Sequence, residues 1–303
     1  MHDTIIIGGG PGGYSAAIYA ARFNMDTVIL AKQRGGLIAQ THLVENWPGE
    51  KSISGFDLIA KVEEHVKHFN VPIKDEVVED ITKSDDSFVV KTSKEEYKTK
   101  TVIIATGTVH RKLPVTGEKE FYGKGVSYCA TCDGMFFRDK VVAIIGGSDS
   151  AAKEALLLSE HCKKVYIIYR REKIRAEPIN YDRVMKKVED GKIEIIYKTN
   201  LTEIKGDKMV TSVMLDNPYN DSSELKLDGV FGAIGHIPQA EFARNIGIEF
   251  NKREEIITDK HSNTNVPGIY AAGDVTDGDF KQAITAAAQG VMATKSAFEY
   301  MSK

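Results

Sequence analysis

The sequence predicts an α/β protein built from two Rossmann-like domains, the first discontinuous and the second inserted into it. A strand, a glycine-rich turn and a helix open the chain at Thr4, and the same pattern starts again at Val141. A last strand and helix after Gly268 have no counterpart in the second copy, so they are assigned to the first domain. At 303 residues there is room for two domains of ordinary size. Hydrophobic residues at 42% and charged residues at 27% provide cores that need neither disulfide staples nor metals. A formal charge of −3 lacks the basic excess that phosphate backbones require, so no nucleic-acid partner is expected. No run approaches the ~20 apolar residues of a spanning helix, and a strand pattern beginning at Thr4 leaves no room for a signal peptide. No membrane association and a cytoplasmic location are therefore expected. Three cysteines, an odd number, fit a reducing compartment.

Thr4-Ile5-Ile6-Ile7 is a β-branched run suited to a buried parallel strand. Gly8, Gly10 and Gly13 follow as G-x-G-x-x-G, and the small residues from Tyr14 to Arg22 recur at helical spacing. Glycines between a strand and a helix let backbone N–H groups and the helix N-terminus approach a pyrophosphate. The next strand, Thr27-Val28-Ile29-Leu30, ends in Ala31-Lys32 without the acid that would hold a ribose hydroxyl. Loops follow around Arg34-Gly35-Gly36 and the lone tryptophan, Trp47. Residues 55–69 read as an amphipathic helix whose His65 and His68 belong to its solvent face. Segments 77–81, 88–92 and 97–100 predict a small antiparallel insertion, and 101–107 a separate buried strand ending in glycine. Leu113-Pro114 and Ile237-Pro238 mark the crossings between domains, which are expected at 1–112 with 239–303 and at 113–238.

In the second copy, strand Val141-Val142-Ala143-Ile144-Ile145 leads to Gly146-Gly147-Ser148-Asp149-Ser150-Ala151 and a helix over 152–159. Strand 165–169 ends in Arg170-Arg171, with Arg175 one turn further on. Guanidinium groups there match the 2′-phosphate of NADPH, whereas NADH would favour an acid. Ser148 stands where a second glycine belongs and adds a side chain at the pyrophosphate approach. The glycine-ended strand at 229–235 echoes the one at 101–107: 99 residues separate Gly8 from Gly107, and 89 separate Gly146 from Gly235. The final strand 268–274 ends in Gly273-Asp274, and a helix covers 282–296.

Between the copies lies Ser127-Tyr128-Cys129-Ala130-Thr131-Cys132-Asp133. Two cysteines two residues apart close a small disulfide ring if the backbone turns helically, which makes the pair a candidate redox switch with Asp133 beside it to give or take a proton. Zinc binding by the pair would need a second ligand pair, and Cys162 and His161 stand alone in the sequence. Cys162 reads as a small buried hydrophobe.

Taken together, Gly8-Gly9-Gly10-Pro11-Gly12-Gly13-Tyr14, Glu45-Asn46-Trp47-Pro48-Gly49, Ala105-Thr106-Gly107, Cys129-Ala130-Thr131-Cys132-Asp133-Gly134, the three arginines, Gly235-His236 and Ala272-Gly273-Asp274 resemble the low-molecular-weight, bacterial- and archaeal-type thioredoxin reductases, over the whole chain. The resemblance implies FAD in the first domain, NADPH in the second, a homodimer, and thioredoxin or a thioredoxin-like protein as the disulfide substrate. It implies that Cys132 faces the flavin, Cys129 attacks the substrate and Asp133 is the acid/base. Implied FAD contacts are Gly8, Gly10, Pro11, Gly13, Arg34, Gly35, Gly36, Leu37, Asn46, Thr106, Gly107, Asp274, Lys281, Gln282 and Ala283. Implied NADPH contacts are Gly146, Gly147, Ser148, Asp149, Ser150, Arg170, Arg171, Arg175 and Gly235. A rotation of the second domain is also implied, and Met135-Phe136-Phe137 is a candidate apolar docking patch. Four positions depart from the family pattern: Leu37 for Gln, Lys281 for Arg, Tyr169 for His and Ser148 for Gly. The last two bear on NADPH against NADH. A flavin-dependent reductase or oxidase acting on another small dithiol, such as a glutaredoxin-like protein, is the alternative reading.

Overall fold

The β-branched run Thr4-Ile5-Ile6-Ile7 makes the wholly buried centre of the first strand, β1 (His2–Gly9). Helix α1 (Pro11–Arg22) returns over the sheet to β2 (Thr27–Arg34), which pairs parallel with β1. This computed structural model describes residues 1–302, and they fall into two units: 1–109 with the segment from Ile237 onward, and His110–His236.

In the first unit, helix α2 (Gly55–His68) exposes His65 and His68, as its amphipathic pattern requires. Strands β3 (Ile73–Lys74), β4 (Val78–Ser84), β5 (Ser87–Thr92) and β6 (Glu96–Ile104) follow. Here the structure corrects the expectation of an antiparallel insertion beside a separate strand. β6 is one continuous strand: Glu96 to Thr99 pair antiparallel with β5, and Thr99 to Ile104 pair parallel with β1. The charged first half and apolar second half read as two elements because only the second half is buried on both faces. The hairpin therefore extends the main sheet, in the order β3-β2-β1-β6-β5-β4. Short strand β7 (Thr108–His110) leaves this unit.

The second unit contains α3 (Glu118–Phe121), β8 (Val126–Ser127), α4 (Ala130–Asp133), β9 (Val141–Ile145), α5 (Asp149–Ser159), β10 (Lys164–Tyr169), α6 (Pro178–Glu189) and β11 (Ile193–Tyr197). Strands β12 (Leu201–Gly206), β13 (Val210–Tyr219) and β14 (Ser222–Lys226) form a three-stranded antiparallel sheet that the sequence reading does not anticipate. After β15 (Gly229–Gly232), the main sheet runs β11-β10-β9-β15-β8. β16 (His236–Pro238) leads back to the first unit, where β17 (Ile269–Ala271) pairs parallel with β6 and α7 (Ala283–Met301) ends the fold. Two helices start or stop off the expected residues. α5 begins at Asp149 rather than 152, and α7 runs five residues past 296 because its last turns still bury Ala297 against the sheet.

Alternation along the parallel strands sends successive side chains to opposite faces. Ile5, Ile7, Val28, Leu30, Val102 and Ile104 share one core cluster, while Ile6, Ile29 and Ile103 join Ala16, Ala17, Ala20 and Ala293 of α1 and α7 in another. In the second unit, Val142, Ile144, Val165 and Ile167 pack with Ala151, Ala155 and Leu158 of α5. Both units thus place a strand end, a turn and a helix start at the carboxyl edge of parallel strands, where open α/β sheets bind nucleotides.

Candidate active site

At the end of β1, Gly8 has φ of +119°, and a Cβ added there would lie 2.2 Å from the Ala105 carbonyl oxygen. The turn needs glycine at this point for both conformation and space. Gly10 differs: it is extended, it caps α1 with no side-chain bond, and a Cβ there would meet nothing within 4 Å. Pro11 occupies the first helical turn, which holds no acidic residue. Backbone donors at an uncapped, acid-free helix start, fronted by open space, fit a pyrophosphate.

The other expected FAD contacts gather around that turn. Gly35 N–H donates to the Gly9 carbonyl at 2.7 Å, and a Cβ on Gly36 would stand 3.4 Å from the Gly10 Cα. Leu37 opens a short 3₁₀ turn directly after them. Asn46 Nδ2 donates to Gln282 Oε1 at 3.0 Å, joining two expected contacts that are far apart in sequence. Gln282 caps α7 with a reciprocal Thr285 bond, and Ala283 is its first helical residue. Thr106 Oγ1 donates to the Gln239 carbonyl at 2.6 Å, and Gln239 N–H donates to the Gly107 carbonyl at 3.0 Å. Asp274 lies in a 3₁₀ turn after β17, and burial raises its carboxyl above the usual range, with Lys281 opposing the rise. Lys281 Nζ bonds the Asp274 carbonyl at 2.9 Å and pairs with Glu255. Arg34 is engaged within the protein: Nε donates to Asp75 at 2.7 Å, and its other nitrogens reach Glu63 and the Ile73 carbonyl.

In the second unit the turn is Gly146, Gly147 and Ser148, with Ser148 as the cap of α5. Its φ and ψ of −85° and 177° match those of Gly10, at −91° and −174°, so the serine is accommodated without backbone strain. Asp149 does not point to phosphate chemistry. Its Oδ1 accepts from Glu177 N–H and Asn180 Nδ2, both at 2.9 Å, and Lys153 pairs with it. Burial pushes this carboxyl up, but those three donors hold it below the usual range. Ser150, Arg170, Arg171 and Arg175 are exposed. Among the described residues no carboxylate pairs with Arg170 or Arg171. Gly235, with φ of +108°, accepts a bond from Arg111 N–H.

Cys129 and Cys132 form a disulfide with Cα atoms 5.3 Å apart, because α4 supplies the helical turn that brings them together. Cys129 caps α4, and its Sγ accepts from Cys132 N–H at 3.1 Å. Cys132 is exposed and Cys129 half-buried. Asp133 accepts a bond from Ser127 Oγ at 2.6 Å, and Ser127 Oγ also accepts from Cys129 N–H at 3.1 Å. One hydroxyl thus ties the acid to the cysteine loop, a link the sequence reading missed because nothing in the spacing singles out Ser127. The following triplet divides. Phe137 is buried edge-on against Phe231 at 5.3 Å, while Met135 is 52% and Phe136 76% exposed. Cys162 is buried, and burial pushes its thiol up to about 11, which makes it inert.

The family model for pyridine nucleotide-disulphide oxidoreductases matches residues 2–290. The chain belongs to this family. Within it, the chain is 39% identical to a thioredoxin reductase of Listeria innocua, over 99% of this chain and 94% of that one. It is 38% identical to a thioredoxin reductase of Bacillus subtilis, over 99% and 95%. Among solved structures, thioredoxin reductase of Lactococcus lactis in its FR conformation matches with a TM-score of 0.95 at 40% identity, covering 100% of this chain and 99% of that one. As an oxidoreductase of this family, the chain carries glycine turns at the ends of parallel strands and a closed disulfide beside an acid.

Proposed function

We propose that the protein is an NADPH-dependent thioredoxin-disulfide reductase, with FAD held by the first unit, NADPH by the second, and Cys129–Cys132 as the disulfide that passes electrons on. The observation that carries the reading is the Cys129–Cys132 disulfide on α4, hydrogen-bonded through Ser127 to Asp133, within the unit that also bears the arginine cluster. Bound FAD supplies the ability to take a hydride from NADPH and hand its two electrons to a disulfide.

The chain's own residues do the rest. Gly10, Pro11 and the first turn of α1 bind the flavin pyrophosphate, with Gly35, Gly36, Leu37, Asn46, Thr106, Gly107, Asp274, Lys281, Gln282 and Ala283 around it. The second unit binds NADPH through Gly146, Gly147, Ser148, Ser150 and Gly235, and its 2′-phosphate through Arg170, Arg171 and Arg175. When the ring opens, the Cys132 N–H already aimed at Cys129 Sγ stabilises a thiolate there, which is the nucleophile for a substrate disulfide. Cys129 is accordingly the attacking sulfur and Cys132 the one that receives electrons. Asp133, held by Ser127, gives and takes the proton at the opening pair. Met135 and Phe136, three and four residues after Cys132, offer an apolar surface for a thioredoxin or thioredoxin-like protein.

We also infer a homodimer that works in the cytoplasm. Among the described residues no helix is long and apolar enough to cross a membrane. A visible-absorbance titration of the purified protein tests the function. NADPH should bleach the flavin bands, oxidised thioredoxin should restore them, and NADH should do the first poorly. A flavin that NADPH leaves oxidised, or that NADPH reduces but no thioredoxin reoxidises, overturns the reading.

A further inference from the structure

We propose that Tyr169 is a positioning residue that aims Arg175 at the 2′-phosphate of the dinucleotide and thereby sets discrimination between NADPH and NADH. The inference rests on the NADPH reading above and adds the residue that makes it selective.

Tyr169 is the last residue of β10, paired with Tyr197 of β11, and is 6% exposed. Its ring lies against the nucleotide turn, since a Cβ added to Gly147 would fall 2.5 Å from its Cγ and Cδ1 atoms. The ring therefore uses the space that the missing side chain of Gly147 leaves open. Its hydroxyl accepts a bond from Arg175 Nε at 3.1 Å. Arg175 is held to the same turn by its backbone: its N–H donates to the Gly147 carbonyl at 2.6 Å, and Ser148 and Arg175 form a parallel bridge. One aromatic side chain thus sits between the glycine turn and the guanidinium, touching both.

The chemistry follows from the shape of guanidinium. A bond donated from Nε fixes the plane of the group and leaves the opposite Nη edge as the fork that matches a phosphate. A free arginine side chain carries about 2 kcal/mol of rotamer entropy, and a group already fixed loses less of it on meeting its ligand. Arg170 and Arg171, exposed directly after Tyr169 and without carboxylate partners among the described residues, supply further positive charge for the same anion. A buried tyrosine hydroxyl must find a partner. Here the partner is a cation at the surface, so the bond serves the orientation of that cation. The Nη fork matches a phosphate, so the effect should be confined to nucleotides carrying a 2′-phosphate.

The test is calorimetric binding of 2′,5′-ADP and of 5′-AMP to the full-length flavin-loaded protein. Wild type should bind 2′,5′-ADP the more tightly. Tyr169→Phe should weaken 2′,5′-ADP by roughly tenfold, the loss of one hydrogen bond to a charged group, and leave 5′-AMP within about twofold. Tyr169→His, which keeps a ring nitrogen able to accept the bond, should retain discrimination, and so provides a second variant if the phenylalanine protein folds poorly. A Tyr169→Phe protein that still discriminates as wild type, or one in which both ligands weaken in parallel, overturns the positioning role while leaving NADPH use intact. A wild type that binds the two ligands equally overturns this role and the NADPH reading together.

Discussion

Alanine at Gly8 and alanine at Gly10 should do different damage, although both glycines belong to one turn. At Gly8 the new Cβ would stand 2.2 Å from the Ala105 oxygen and 2.5 Å from its carbonyl carbon, so β1 and the end of β6 must part by about 1 Å to restore ordinary contact. Those strand ends are tied by Ala105 N–H donating to the Ile7 carbonyl at 2.7 Å. The backbone is also at φ +119°, where an L-residue is strained by about 1–3 kcal/mol, and overpacking adds about 1–3 kcal/mol. The sum, about 2–6 kcal/mol, corresponds to a fall of roughly 5–20 °C in melting temperature for a domain of this size. Gly10→Ala meets nothing within 4 Å and keeps an allowed backbone. Its only intrinsic cost is a poorer helix cap, a few tenths to about 1 kcal/mol. Its methyl group, however, projects into the open space in front of α1, where the flavin pyrophosphate must make backbone contact, and FAD affinity should fall at least about tenfold, or 1.4 kcal/mol. Thermal unfolding of flavin-free protein, paired with a fluorescence titration of FAD, measures both effects. Equal FAD affinity in Gly10→Ala and wild type would refute the placement of the pyrophosphate. An unshifted flavin-free Gly8→Ala would refute the steric argument.

Three further outcomes are expected. Cys132→Ser should stop electron flow out of the reduced flavin, whereas Cys129→Ser should block mainly the transfer to thioredoxin; indistinguishable visible spectra of the two NADPH-reduced variants would undo the assignment of unequal sulfurs. Phe136→Ala, at an exposed position beside the disulfide, should raise the KM for thioredoxin about five- to tenfold while flavin reduction by NADPH keeps its rate in stopped flow, and an unchanged KM would remove Phe136 from the docking surface. Glu154 of α5 has a buried Oε2 with no hydrogen-bond partner among the described residues, and burial pushes its carboxyl from 4.5 up to about 8. The folded chain therefore keeps a proton that the unfolded chain loses, so the stability linked to this group is full below about pH 4.5 and falls as pH rises toward 8. Glu154→Gln should flatten that part of the urea-unfolding profile between pH 5 and 8; a profile that keeps its slope would place the dependence elsewhere.

The sequence by itself determined the two glycine turns, the parallel strands that lead into them and the disulfide pair, because each depends on neighbours along the chain. A β-branched run followed by glycines and a small-residue helix specifies its own local geometry, and a Cys-x-x-Cys closes its ring within one helical turn. The tertiary structure decided what depends on residues distant in sequence. β6 is one strand because β5 and β1 pair with its two halves, which its change from charged to apolar composition conceals. β12, β13 and β14 alternate too weakly at the surface to stand out, and register with one another is what makes them a sheet. Asn46 meets Gln282, Asp149 is occupied by Glu177 and Asn180, and Arg34 by Asp75 and Glu63, all through hydrogen bonds between separate elements. Tyr169 illustrates the division most plainly. In the sequence it is a strand end that departs from the family's histidine and bears on NADPH against NADH, and only the fold sets its ring on Gly147 and its hydroxyl against Arg175, because side-chain direction at a strand end has meaning only against the turn packed over it.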